Sequence, residues 1–214
     1  MTDYTLQGLE LGPFATNCYI YAPGPGPACW IIDAGLGPEP LIAAIRQREL
    51  KPEKLILTHA HLDHIGGVDA VSAAFPGVEL LIHEAERDWL TNADLNLSGG
   101  YGFPVTCRPA DRLLRDGDEL SIGAETWRVL HTPGHSPGGV TLYNADRAVA
   151  FVGDTLFAGS IGRTDFPNSS FDTLAESIRQ RLYSLPPDTR ALPGHGPATT
   201  IGREMRSNPF VRAD

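Results

Sequence analysis

The segment Thr58-His59-Ala60-His61-Leu62-Asp63-His64 constrains this chain more than any other. It follows an apolar run, Lys54–Leu57, that reads as a strand. It precedes Gly66–Phe75, where Val68, Val71, Ala74 and Phe75 fall on one helical face. Three histidines and a carboxylate therefore occupy one short strand-to-helix turn. Groups of this kind repel or desolvate one another unless a cation sits among them. Imidazole nitrogen and carboxylate oxygen are the ligands that zinc, iron and manganese accept. His59 and His61, two positions apart on extended backbone, can point the same way. Asp63 and His64 then turn toward a second point at the helix start. One loop can in this way serve two metal ions.

Two ions need further ligands, and the sequence offers them where strands end. His135 lies in Thr132-Pro-Gly-His-Ser-Pro-Gly-Gly139, after an expected strand at Thr126–Leu130. Asp154 follows the expected strand Ala148–Val152, and His195 follows Arg190–Leu192 inside Pro193-Gly-His-Gly-Pro197. Glycines flank each of the three, so the chain can turn tightly there and approach another group closely. Gly134-His-Ser-Pro-Gly138 also matches the Gly-x-Ser-x-Gly elbow of serine hydrolases. That elbow needs a helix after the serine, and Val140–Tyr143 reads as strand, so Ser136 is not expected to be a nucleophile.

The remaining pattern sets the architecture. Strands are expected at Thr5–Leu11, Asn17–Ala22, Cys29–Asp33, Val78–Ile82, Glu119–Ile122 and Val140–Tyr143. Helices are expected at Pro38–Leu50, Glu84–Leu90, Phe171–Leu182 and Thr200–Arg206. Strands, then helix, then strand, twice over, predict an α+β fold: an αββα sandwich of two mixed sheets flanked by helices. Residues 96–104 have no period and read as a long mobile loop.

With these residues in place, the chain resembles the metallo-β-lactamase superfamily, and within it the glyoxalase II-like hydrolases. The resemblance spans nearly the whole length through residues 58–64, 131–139, 153–166 and 193–197. It implies one metal held by His59, His61 and His135, and a second held by Asp63, His64 and His195, with Asp154 bridging both. The implied cofactors are two divalent ions, with zinc expected and iron or manganese suited to the same ligands. The implied activity is hydrolysis of a thioester or ester by a metal-bridging hydroxide, with Asp63 orienting it or taking a proton. In glyoxalase II a basic residue at the place of Arg163 helps hold the glutathione moiety. Where some members carry an aromatic two positions later, this chain has Asp165. Arg163 either contacts the thiol portion of a substrate or pairs with Asp165 and braces its loop. Tyr101 and Phe103 either wall the substrate pocket or cap the core. The segment 162–166 is shared with persulfide dioxygenases, which use a single iron, so an oxidoreductase is the alternative reading. The setting of His195 favours the hydrolases.

The length of 214 residues fits a single catalytic domain over 1–214, without the C-terminal helical glutathione-binding domain of full-length glyoxalase II. The formal net charge of −9 argues against nucleic acid or an anionic membrane as partner, since both need clustered Lys and Arg. A small thioester or ester, such as a glutathione conjugate, is the expected partner. There is no 18-residue apolar run and no signal-peptide pattern at residues 1–11. The three cysteines, Cys18, Cys29 and Cys107, lack a Cys-x-x-Cys spacing and suit a reducing cytoplasm as buried apolar fillers. His83 and His131 are expected to be structural, and Trp30, Trp89 and Trp127 to pack.

Overall fold

The computed structural model describes residues 4–213, which divide into two compact units. The first holds residues 4–114 with Ser121–Glu125, and the second holds 115–120 with 126–213.

The first unit is built on β1 (Thr5–Leu11), β2 (Thr16–Ala22), β3 (Ala28–Ile32), helix α1 (Glu39–Gln47), β4 (Lys51–Ile56), the short α2 (Leu62–Ile65), α3 (Val68–Ala74), β5 (Glu79–His83) and β6 (Arg112–Leu114). The strands form one six-stranded sheet in the order β1-β2-β3-β4-β5-β6. Pairing is antiparallel from β1 to β3 and parallel from β3 to β6. The carboxyl ends of β3, β4 and β5 therefore lie along one edge. Every residue of β2 is buried, so an alternating surface strand was never available to it. Leu41 and Ile45, one helical turn apart on α1, are fully buried in the core with Ile20, Ile31 and Leu55. Burial of each such side chain contributes about 1.5–3 kcal/mol.

The helix expected over Gly66–Phe75 is α3, and the short α2 before it, Leu62–Ile65, was not expected. Gly67, between the two, has no room for a side chain: a Cβ there would meet the Gly35 carbonyl at 2.5 Å and Pro38 Cβ at 2.8 Å, while the Gly67 N–H donates to the Ala34 carbonyl at 2.7 Å. The helix expected at Glu84–Leu90 is instead two single 3-10 turns, Glu84–Glu86 and Trp89–Thr91. His83 caps the first of them by accepting the Ala85 N–H on Nδ1.

The second sheet runs β14-β13-β10-β9-β8-β7. In chain order its elements are β7 (Glu119–Ile122), β8 (Glu125–His131), β9 (Val140–Asn144) and β10 (Val149–Gly153). A small hairpin of β11 (Leu156–Phe157) and β12 (Ser160–Ile161) follows, then α4 (Phe171–Ser177), β13 (Arg190–Pro193), β14 (Thr199–Thr200) and α5 (Ile201–Ser207). β10 and β13 are parallel, so Asp154 and His195 follow strand ends that point the same way. Leu174, Ile178 and Leu182 pack on Ala150, Val152 and Ala191. The helix expected over Phe171–Leu182 changes pitch at Ile178. Residues Ile178–Leu182 form a π turn, closed by the Tyr183 N–H on the Ile178 carbonyl at 2.8 Å. Trp127 stacks on Phe151 with ring centroids 5.3 Å apart, and all three tryptophans are buried.

Both sheets are thus mixed and carry helices, as the pattern predicted. The strands it did not anticipate, β6, β11, β12 and β14, are two or three residues long, too short to show a period. The cysteines are free and buried, and desolvation pushes each thiol up to about 12. Among the described residues no helix is long and apolar enough to cross a membrane.

Candidate metal centre

The first unit assembles four of the expected ligands around the end of β4. His61 is extended, with φ −68° and ψ 150°, and stands at the start of α2, whose first turn carries Asp63. The His59 ring lies 4.7 Å from the His61 ring and 4.1 Å from the His64 ring, measured between centroids. The donor atoms of His59 and His61 fall within 4.8 Å of each other, as do those of His59 with His64 and Asp63 with His64. His64 Nε2 stands 3.5 Å from Asp63 Oδ2.

Asp33, at the end of β3, organises this group. Its Oδ1 accepts the Thr58 N–H at 2.7 Å, and its Oδ2 accepts the Thr58 hydroxyl at 2.8 Å and His64 Nδ1 at 2.9 Å. A carboxylate can only accept, so the His64 proton is on Nδ1. The Thr58 hydroxyl has spent its one proton on Asp33, so at 3.2 Å it accepts from His59 Nδ1. Both imidazoles therefore present the lone pair of Nε2. This is the arrangement in which a hydrogen bond on the far nitrogen orients a metal-binding histidine. Glu86, fully buried, accepts the Ala60 N–H at 2.6 Å and so fixes the backbone between His59 and His61. The Leu62 N–H donates to the Asn96 carbonyl at 3.1 Å.

The second unit assembles the other three. Asp154 Oδ2 stands 3.5 Å from His135 Nε2 and 3.5 Å from His195 Nε2. His135 Nδ1 donates to the Arg163 carbonyl at 2.8 Å, which again leaves Nε2 with its lone pair. Gly162 lies against both ligands. A Cβ there would collide with the Asp154 carbonyl oxygen and come within 3.0 Å of His135 Nδ1.

The donor chemistry suits a metal. In both groups an imidazole lone pair faces a carboxylate oxygen at 3.5 Å, longer than the 2.7–3.2 Å of a good hydrogen bond. Nitrogen and oxygen lone pairs turned on one another are what a divalent cation requires.

The other expected site residues stand as follows. The Arg163 side chain makes a fork to Asp165, with Nε to Oδ1 at 2.9 Å and Nη2 to Oδ2 at 2.8 Å. It lies over the Phe166 ring at 4.1 Å. The guanidinium holds the exposed Asp165 carboxyl below the usual carboxylate range. Of the two readings of Arg163, pairing with Asp165 is the one observed. Tyr101 and Phe103 are 47% and 44% exposed, so they do not cap the core. Tyr101 meets Phe14 edge to face at 5.7 Å. The loop 96–104, expected to be mobile, is pinned at its base. Asn96 Nδ2 donates to the Trp89 and Val105 carbonyls, and Ser98 Oγ accepts the Val105 N–H at 2.8 Å. His131 Nε2 lies 2.9 Å from the Pro137 carbonyl, the structural role expected of it. After Ser136 the chain enters β9 and not a helix, so the elbow geometry is absent.

The family model described as the metallo-beta-lactamase superfamily matches residues 11–195. The chain belongs to that superfamily. Its relatives within the superfamily include the probable metallo-hydrolase YqgX of Bacillus subtilis, 40% identical over 95% of both chains. Another is the hydroxyacylglutathione hydrolase GloC of Haemophilus influenzae, 39% identical over 86% of this chain and 87% of that one. A solved structure, the BLEG-1 B3 metallo-beta-lactamase, is 44% identical with a TM-score of 0.92, covering 97% of this chain and 99% of the other. The fold is therefore the superfamily's α/β sandwich fold, and membership of this metallo-hydrolase superfamily supports enzyme activity.

Sequence reasoning missed Asp33, Thr58, Glu86 and Gly162 as parts of the site. Asp33 and Gly162 carried a signal: Asp33 is a carboxylate closing an apolar strand two residues before Gly35, and Gly162 is a glycine opening the segment 162–166. Glu86, inside an apparent surface helix, carried none.

Proposed function

We propose that the chain is a dinuclear metal-dependent thioester hydrolase of the glyoxalase II type, cleaving a hydroxyacylglutathione into hydroxy acid and glutathione. The observation that carries the reading is the set of anchored imidazoles: His59, His64 and His135 are each held through Nδ1 and each present Nε2. We assign His59, His61 and His135 to one ion and Asp63, His64 and His195 to the other, with Asp154 shared. Zinc is the expected metal, and iron or manganese suits the same donors. Bound there, two divalent ions would activate water at neutral pH and polarise the thioester carbonyl.

The chain's own residues then divide the work. Asp63, beside His64, orients the attacking water and takes its proton. Water oxygen bonds to the carbonyl carbon, the C–S bond breaks, and the thiolate leaves with a proton. Arg163, Tyr101 and Phe103 are the residues proposed to meet the thiol portion. Because Asp165 already occupies the Arg163 fork, an anionic thiol group must share or displace that partner. The relative GloC supports the glutathione thioester as first substrate to try. The net charge of −9 supports a small molecule over nucleic acid or an anionic membrane, and three buried free cysteines fit a cytoplasmic setting.

The test is metal analysis of the purified protein together with turnover of S-lactoylglutathione, with a β-lactam as control substrate. Two ions per chain and release of free thiol are expected, and Asp63→Ala should lose most of that activity while keeping its fold. One iron per chain, with oxygen consumed on glutathione persulfide, would establish the dioxygenase reading instead. Cleavage of the β-lactam with no thioester turnover would also overturn the proposal.

A further inference from the structure

We infer that Thr16 is a positioning residue for the ion assigned to Asp63 and His64, an inference that rests on the dinuclear reading above. Thr16 opens β2, opposite Leu11 across the β1–β2 turn, and is fully buried. Its hydroxyl donates to Asp63 Oδ2 at 3.0 Å, across 47 residues of sequence. The acceptor atom matters. Oδ2 is the same oxygen that stands 3.5 Å from His64 Nε2, so the hydrogen bond falls on the oxygen that faces the imidazole lone pair.

His64 is held from behind by Asp33 at 2.9 Å, and Asp63 is held by Thr16. Each of these two ligands thus has a polar partner behind it that helps set its direction. The need is greater for Asp63. It sits on a helix of only four residues, and its carboxylate can rotate on two torsions. Thr16 is suited to stop that rotation. A β-branched side chain on a strand is stiff about χ1, so its hydroxyl is a fixed donor. Strand β2 is buried along its whole length and cannot shift to follow the carboxylate.

The contact is also selective. Thr16 bonds Asp63, whereas His59 is oriented by Thr58 and the turn between His59 and His61 by Glu86. Loss of the Thr16 hydroxyl should therefore weaken one ion and spare the other. A merely structural threonine would affect both equally or neither.

The experiment titrates metal-free protein with Zn²⁺ against a chromophoric chelator and resolves the two binding steps. Wild type, Thr16→Val, Thr16→Ser and Asp63→Ala are compared, with circular dichroism as the check on folding. Asp63→Ala identifies the step that depends on that carboxylate. Thr16→Val should weaken the same step about 10–100-fold, the usual effect of removing a ligand's hydrogen-bond partner, and leave the other unchanged. Thr16→Ser, which keeps the hydroxyl, should restore most of the affinity. If the valine variant does not fold, Thr16→Ala removes the same hydroxyl with less bulk. The inference is overturned if Asp63→Ala loses a step while the hydroxyl-less Thr16 variant matches wild type, or if that variant weakens both steps equally. A wild-type protein that takes up one ion, or an Asp63→Ala variant indistinguishable from it, overturns the dinuclear reading itself.

Discussion

Asp33 adopts φ +61°, a left-handed backbone conformation that few residues accept, and it does so where its carboxylate receives three hydrogen bonds. Strain of about 1–3 kcal/mol at such a position persists only where the surroundings impose it. Here the imposing groups are Thr58 and His64. Aspartate and asparagine both tolerate this backbone region, so Asp33→Asn removes the charge and one acceptor without changing the turn. The amide cannot accept from Thr58 and His64 on both atoms. Loss of charge-assisted bonds should lower stability by about 2–3 kcal/mol in chemical denaturation. Metal affinity should fall about 10–100-fold in a chelator competition. Unchanged affinity in Asp33→Asn would remove Asp33 from the site. At this scale the sequence was legible wherever chemistry is dense. The seven expected ligands fall into two groups, one in each unit, because imidazoles and carboxylates at close spacing have few other uses. The residues that orient them were not legible. Asp33 lies 25 positions from Thr58 and 31 from His64, and nothing local to it marks those partners.

At the scale of elements, the expected ligands and their supports gather at the carboxyl ends of parallel strands. In the first unit Asp33 follows β3, His59 and His61 follow β4, and Glu86 follows β5. In the second, Asp154 follows β10 and His195 follows the parallel β13. Parallel neighbours bring such ends to one edge, which is why ligands collect there in open α/β sheets. The strand-then-polar-residue pattern made Asp154 and His195 readable, since β10 closes on Gly153 and β13 on Pro193, whereas Asp33 and Glu86 follow strands that no glycine or proline closes. The β11–β12 hairpin was not readable, and it leads directly into Gly162. That glycine is required by packing and not by its φ. Gly162→Ala should cost about 1–3 kcal/mol, the usual range for overpacking a filled interior, and should displace His135 from the Arg163 carbonyl. Gly24→Ala, where nothing lies within 4 Å of the new Cβ, is the control and should be near neutral. Comparable stability of the two variants by thermal melting would show that the Asp154 and His135 loops yield easily.

For the whole molecule, the proposed ion ligands and the Asp33 behind them include charged and imidazole groups that the fold has already taken from water. His59, His64 and Asp33 are buried, and Asp154 is 9% exposed. Folding has met their desolvation cost already, and bound ions would return it. A ligand that binds only the folded chain stabilises by mass action, about 2.7 kcal/mol per site at 100 times the dissociation constant. For a chain of about 200 residues each kcal/mol moves the melting midpoint by about 2–4 °C, so each ion is worth roughly 5–11 °C. Removal of metal with a chelator, followed by gel filtration, should therefore lower the midpoint by about 10–20 °C when both sites are emptied. Adding Zn²⁺ back should restore it. Asp63→Ala separates the two contributions, since it should retain the part due to the other proposed ion. In that variant the chelator should still lower the midpoint, by about half the wild-type shift. A wild-type melt that is the same with and without chelator, when elemental analysis shows the metal has gone, would mean the anchored imidazoles are stable without cations. The donor sets described here would then not be metal sites.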